Sequence, residues 1–181
     1  MFDVIVSLVL LVLLLPLLAV IALAIRMDSR GPAFFRQERV GRGARPFQMY
    51  KFRSMVTDAD QTGPYFTAQD DPRITRIGAL LRKTSLDELP QLINVLTGDM
   101  SLVGPRPDVF AQRENYTEGE WCKRTRVRPG ITGLAQATAR NLATPEQRTA
   151  LDLEYVDRQS LWFDLKILWL TVKQVMMKGS H

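Results

Sequence analysis

A run of 22 residues, Val4 to Ile25 in "MFDVIVSLVLLVLLLPLLAVIALAI", constrains this chain most, with only Ser7 and Pro16 departing from apolar types. As a straight helix it would measure about 33 Å, against a hydrocarbon core of about 30 Å. A secretory signal is the first alternative to weigh. Ala22-Leu23-Ala24 has the small-residue pattern of a cleavage site, but no basic segment precedes the run, which is also too long for a signal. A membrane segment is expected instead. Pro16 falls in its middle, where the ring removes one backbone bond and clashes with the preceding turn. Two forms satisfy the pattern: a kinked helix that spans, or a re-entrant hairpin whose arms enter one leaflet and return. Hydropathy does not choose between them.

The segment after the run is basic. Residues 26–53 hold eight cations (Arg26, Arg30, Arg36, Arg39, Arg42, Arg45, Lys51 and Arg53) against two acids, Asp28 and Glu38. Beside an apolar segment, such a cluster places this side in the cytoplasm and draws it towards anionic headgroups. The whole chain carries a net charge of +5, which favours anionic partners. A lone cysteine, Cys122, rules out an internal disulfide and a cysteine-rich metal site, and fits a reducing compartment. The single histidine, His181, ends a Gly-Ser-His stretch (residues 179–181) that reads as a tag remnant. Histidine-based catalysis is therefore excluded, leaving carboxylates, lysine, arginine and hydroxyls.

In the polar remainder, "AFFRQERVGRGARPFQMYKFRSM" predicts two short strands around Gly41-Arg42-Gly43. The period of two puts Phe47, Met49, Lys51 and Arg53 on one face of the second strand, and two cations side by side suggest a phosphate. Further on, "TSLDELPQLINVLTGDMSLVGPRP" predicts a helix with an apolar stripe at Leu89, Leu92, Ile93 and Leu96, stopped by Gly98. Either Ser85 or Asp87 could cap it, so Asp87 and Glu88 lie at its mouth in both cases. Helix N-termini stabilise carboxylates and also attract phosphate, and a hard cation such as Mg²⁺ would reconcile the two. Just beyond, Arg106 is held between Pro105 and Pro107, a stiff setting for bidentate phosphate binding. "RVRPGITGLAQATARN" adds loop and another candidate phosphate ligand, Arg140. The closing "SLWFDLKILWLTVKQVMMK" fits an interfacial amphipathic helix anchored by Trp162 and Trp169, or equally a helix packed on the core.

Taken in order after the apolar segment, "YKFRSM", "LRKTSLDELPQLINVLTGDMSLVGPRP" and "RVRPGITGLAQ" resemble the bacterial sugar transferases, the monotopic phosphoglycosyl transferases. The resemblance implies transfer of a sugar phosphate from a UDP-sugar donor to polyprenol (undecaprenyl) phosphate, with release of UMP. This would be the first membrane step of exopolysaccharide, O-antigen, capsule or glycoprotein assembly. It implies Asp87 as nucleophile and ligand of Mg²⁺, Glu88 as acid/base or metal-site partner, and a covalent phosphosugar–aspartyl intermediate. Lys51, Arg82, Arg106 and Arg140 match the cationic positions around the substrate phosphates. It also favours the re-entrant form of the membrane helix, broken near Pro16, although Leu15 stands where the family has Ser.

The expected protein is thus mainly α with a small β-hairpin (α+β), membrane-associated and monotopic. Residues 1–25 form a membrane-inserted helix, residues 26–178 a catalytic domain facing the cytoplasm at the bacterial inner membrane, and the whole corresponds to the small catalytic form. Its expected partners are the two substrates and membrane phospholipids, not nucleic acid; the oligomeric state stays open, with a dimer as one option.

Overall fold

The computed structural model describes the backbone of residues 1–59, 71–139 and 143–178, and side chains as far as Gln174. Its longest element is the 27-residue helix α1 (Phe2–Asp28). No face of α1 is hydrophilic, yet only one stripe is packed. Ser7, Ile21 and Ile25 are buried, with Leu11, Leu14 and Leu18 half-buried between them. These positions follow one another in steps of four and three, the spacing of a helix seam. The other side, including Leu8, Val12, Leu13, Leu15, Val20 and Leu23, is exposed.

Both ends of α1 are tied to the rest of the chain. Ser101 Oγ donates to Asp3 Oδ2 at 2.6 Å, and the Ile77 amide donates to Asp28 Oδ2 at 3.1 Å. Between them the helix continues through Pro16 as one element, where the family resemblance implies two arms divided by a break. An interior proline bends a helix without ending it when the residues on either side are held, and here Leu14 and Leu18 pack against the two hydrophobic cores.

Strands β1 (Phe34–Val40) and β2 (Pro46–Phe52) form the expected antiparallel hairpin, in register from Phe34 opposite Phe52 to Val40 opposite Pro46. Phe47 and Met49 enter the core, and Lys51 continues their face of β2. Helix α2 (Arg76–Thr84) is capped by Thr75 and brings Leu81 against Ile21, Ile25 and Phe52. Helix α3 (Gln91–Thr97) stops at Gly98, whose φ of +86° suits glycine.

A second, parallel pair joins β3 (Ser101–Val103) to β4 (Gly130–Thr132), with α4 (Glu118–Arg124) in the connection. Sequence pattern does not announce this pair, because three residues are too few to show a period. Helices α5 (Leu134–Thr138), α6 (Pro145–Arg158) and α7 (Leu161–Lys178) close the core, in which Met100, Tyr155 and Ile167 are fully buried. Helix α7 packs on the core, one of the two forms expected for its segment. Phe163 and Ile167 face the core, while Trp162 and Trp169 are 82% and 61% exposed.

Candidate active site

The two adjacent carboxylates do not cap a helix. Leu86–Glu88 form a separate 3-10 turn, entered through Ser85 in the left-handed region at φ +60°, and α3 begins only after Pro90. Successive i to i+3 bonds carry the chain across, from Glu88 N to Ser85 O and from Leu89 N to Leu86 O, both 3.3 Å. Neither Ser85 nor Asp87 makes a side-chain cap. The buried side of α3 is also turned from the expected stripe: Gln91, Leu92, Asn94 and Val95 are inside, and Ile93 is exposed.

Asn94 explains the rotation. It is fully buried, takes the Tyr50 amide on Oδ1 at 2.9 Å, and donates from Nδ2 to the Gln48 carbonyl at 2.7 Å. One side chain thereby imitates a neighbouring strand along the free edge of β2 and fixes α3 to it. The turn before α3 is brought against Lys51 as a result.

Glu88 gathers the cations. Its Oε1 accepts from Lys51 Nζ at 3.0 Å and from Arg106 Nη2 at 2.8 Å. Burial opposes its ionisation, but Arg106 and Lys51 outweigh burial and hold the carboxyl down at about 2. Asp87 is the opposite case. It is 8% exposed, and among the described residues no donor reaches its carboxylate within hydrogen-bond distance. Burial raises its pKa, and the like charge of Glu88 adds to this against the pull of Lys51, Arg82 and Arg106. Two neighbouring carboxylates are thus set apart: one neutralised and fixed, the other basic and unclaimed.

Arg82 approaches from α2, where its Nε donates to Ser54 Oγ at 2.9 Å, and its charge reaches Asp87. Lys51, Arg82, Arg106, Asp87 and Glu88 are therefore brought together. Arg140 lies outside the described residues. Arg53, expected from the strand period to share a phosphate site with Lys51, is turned away and buried. It donates to the Arg30 and Ser29 carbonyls at 2.7 Å each and so ties down the chain leaving α1. Asn94 was missed; the only signal for it was a polar residue inside an apolar helical run.

The donor set fits a hard divalent cation that arrives with phosphates. No group of three or more metal-ligating side chains occurs among the described residues, so an all-protein cage is excluded there. A single unclaimed carboxylate, Asp87, suits Mg²⁺, which commonly binds through one or two carboxylates, water and substrate phosphates. Glu88 is already committed to two cations.

The family model described as "Bacterial sugar transferase" matches residues 1–178. The UDP-glucose:undecaprenyl-phosphate glucose-1-phosphate transferase of Escherichia coli is 48% identical over 179 residues, covering 94% of this chain and 38% of that protein. The undecaprenyl-phosphate glucose phosphotransferase of Komagataeibacter xylinus is 48% identical over 184 residues, covering 96% and 35%. The exopolysaccharide production protein PSS of Rhizobium leguminosarum is 45% identical over 192 residues, covering 99% and 95%. The chain spans little more than a third of the first two relatives and nearly all of the third. With a match over almost its whole length, this chain belongs to the bacterial sugar transferase family.

Proposed function

We propose that this chain transfers a sugar phosphate from a UDP-sugar to polyprenol phosphate at the cytoplasmic face of the bacterial inner membrane. The observation that carries the reading is the pairing of an unclaimed, buried Asp87 with a Glu88 that holds Lys51 and Arg106 beside it. The Asp87 carboxylate attacks the β-phosphorus of the donor, a new O–P bond forms, and the bond to the UMP oxygen breaks with its electron pair leaving on UMP. An oxygen of polyprenol phosphate then attacks the same phosphorus and displaces the Asp87 carboxylate. One difficult displacement becomes two. Lys51, Arg82 and Arg106 bind and orient the diphosphate and stabilise the charge that develops on it. Mg²⁺, held by Asp87, would supply shielding between the carboxylate and the incoming diphosphate.

The exposed apolar side of α1 and the tryptophans of α7 support a membrane-surface location. The hydrogen bonds at Asp3 and Asp28 support placing both ends of α1 on one side of the membrane, because a spanning helix would carry Asp3 to the far side. UDP-glucose is the first donor to test, given the names of the relatives. Purified protein should release UMP from it when undecaprenyl phosphate and Mg²⁺ are present, and the lipid should gain a sugar phosphate. Absence of UMP with every member of a UDP-sugar panel would refute the proposal.

A further inference from the structure

The stiffness of Pro105 and Pro107 is half of what fixes Arg106. Proline sets its own φ near −65° and holds the residue before it, here Arg106, in extended backbone, but the ψ of each proline and the ψ of Arg106 within that range remain to be chosen. The direction of a carbonyl reports ψ, and four successive carbonyls in this loop are each taken by a different donor. Pro105 O accepts from Gly130 N at 2.9 Å, and Asp108 O accepts from Val40 N at 2.8 Å. Between them, Arg106 O accepts from Arg124 Nη2 at 2.5 Å, and Pro107 O from Arg39 Nη1 at 3.1 Å. The loop packs so closely on the chain entering β4 that a Cβ on Gly104 would lie 2.4 Å from the Arg128 carbonyl oxygen and 2.8 Å from the Gly130 nitrogen.

Arg124 is built into the protein interior. It is 5% exposed, its Nη1 meets Asp108 Oδ2 at 2.8 Å, and its Nε donates to Asp152 Oδ2 at 2.9 Å. Tyr116 donates its hydroxyl to the same Asp108 oxygen at 2.8 Å and lays its ring 5.3 Å from the guanidinium. Two carboxylates balance the one charge, so Arg124 adds no net positive potential for a phosphate. Arg39 has its Nε and Nη2 on Gln37 Oε1, at 3.1 and 2.5 Å.

We propose that Arg124 and Arg39 are positioning residues for Arg106, gripping its carbonyl and the next one so that its guanidinium leaves the backbone towards Glu88 and the substrate phosphates. The proposal rests on the phosphate-clamp role assigned to Arg106 under the proposed function. It concerns the direction of one side chain, and it predicts coupling to that side chain alone.

The test uses the full chain in nanodiscs, with Arg124→Lys and Arg39→Met each made alone and with Arg106→Ala. Arg39→Met serves if the buried Arg124→Lys fails to fold. UMP release gives kcat/KM, and hydrogen exchange resolved to peptides gives the order of residues 104–109. Arg124→Lys should lower kcat/KM about tenfold and Arg39→Met severalfold, each falling to less than about twofold once Arg106 is alanine. Exchange should quicken at 104–109 and at the Val40 amide bonded to Asp108, and stay unchanged along β2. Equal losses with and without Arg106, or faster exchange throughout the chain, would overturn the proposal. If the wild type releases no UMP, the functional reading fails, and exchange still decides: local quickening sustains the anchoring and unchanged exchange at 104–109 overturns it.

Discussion

The turn bearing Asp87 and the helix α1 are held by opposite means. Around the turn, contacts are directional: Lys51 and Arg106 on Glu88, Asn94 on two backbone groups of β2, Arg82 on Ser54. Along α1, the contacts between the two ends are apolar, and any side chain of suitable volume could make them. Directional contacts specify one geometry and fail with the loss of one atom. Apolar contacts specify a location and fail gradually. The candidate site and α1 thus rest on different kinds of force in one chain.

The largest effect should come where a single atom matters. Asp87→Asn replaces a carboxylate oxygen by an amide at a site with no hydrogen bond to lose among the described residues, so turnover should fall about a thousandfold or more. The melting temperature should stay within about 4 °C of the wild type, at about 1 kcal/mol or less. Withholding the lipid acceptor should leave a sugar-phosphate mass adduct on the wild type and none on the variant. An active Asp87→Asn protein would remove Asp87 from the chemistry and the contrast with it.

Next is Asn94→Ala, which leaves the Tyr50 amide and the Gln48 carbonyl without their partner. The expected loss is about 2–6 kcal/mol, from two buried groups at about 1–3 kcal/mol each. Denaturant unfolding measures the stability loss. Activity should fall as well, since Asn94 sets the turn against Lys51. A change below about half a kcal/mol would mean that the apolar contacts of α3 suffice to hold the site.

A smaller effect is expected from Pro16→Ala. It restores one helical hydrogen bond and removes the clash, so it should favour a straighter α1 and shift part of the population towards spanning. A cysteine at Phe2 reports this. In a chain whose exposed native thiol is removed by Cys122→Ser, an impermeant thiol reagent should label the introduced cysteine only in inverted inner-membrane vesicles, and Pro16→Ala should add labelling from the periplasmic side. Periplasmic labelling without the proline change would refute the same-side placement of both ends.

The smallest effect belongs to Ser7, fully buried in the seam with a hydroxyl that has no hydrogen-bond partner among the described residues. Ser7→Ala should be neutral or stabilising by up to about 1 kcal/mol, as removing an unsatisfied polar group predicts. A clear loss of stability would show that the seam is not purely apolar in its energetics.

Legibility in the sequence divides along the same line. Periodicity located α1, the hairpin and the stop at Gly98, because each depends on short-range pattern. The motif resemblance located Asp87, Glu88, Lys51, Arg82 and Arg106, and the structure brings these five together. Which carboxylate the cations would choose was not legible. Asp87 and Glu88 are adjacent, and their difference arises from the directions they leave a 3-10 turn that starts from a left-handed Ser85. Asn94, Arg39 and Arg124 were invisible for another reason. Their partners are backbone groups distant along the chain, and a backbone carbonyl leaves no trace in residue type.

The amide of Asn94 has a further consequence for solubility. A two-stranded ribbon has two open edges, each a template on which a foreign strand can add and begin an ordered aggregate. At Gln48 and Tyr50 that template is already filled by a side chain of the same molecule. Until α3 has docked, the ribbon is open to neighbouring chains; afterwards its inner edge is closed. Closure of this edge and assembly of the site are therefore one event, and a chain that delays it risks clumping and inactivity together.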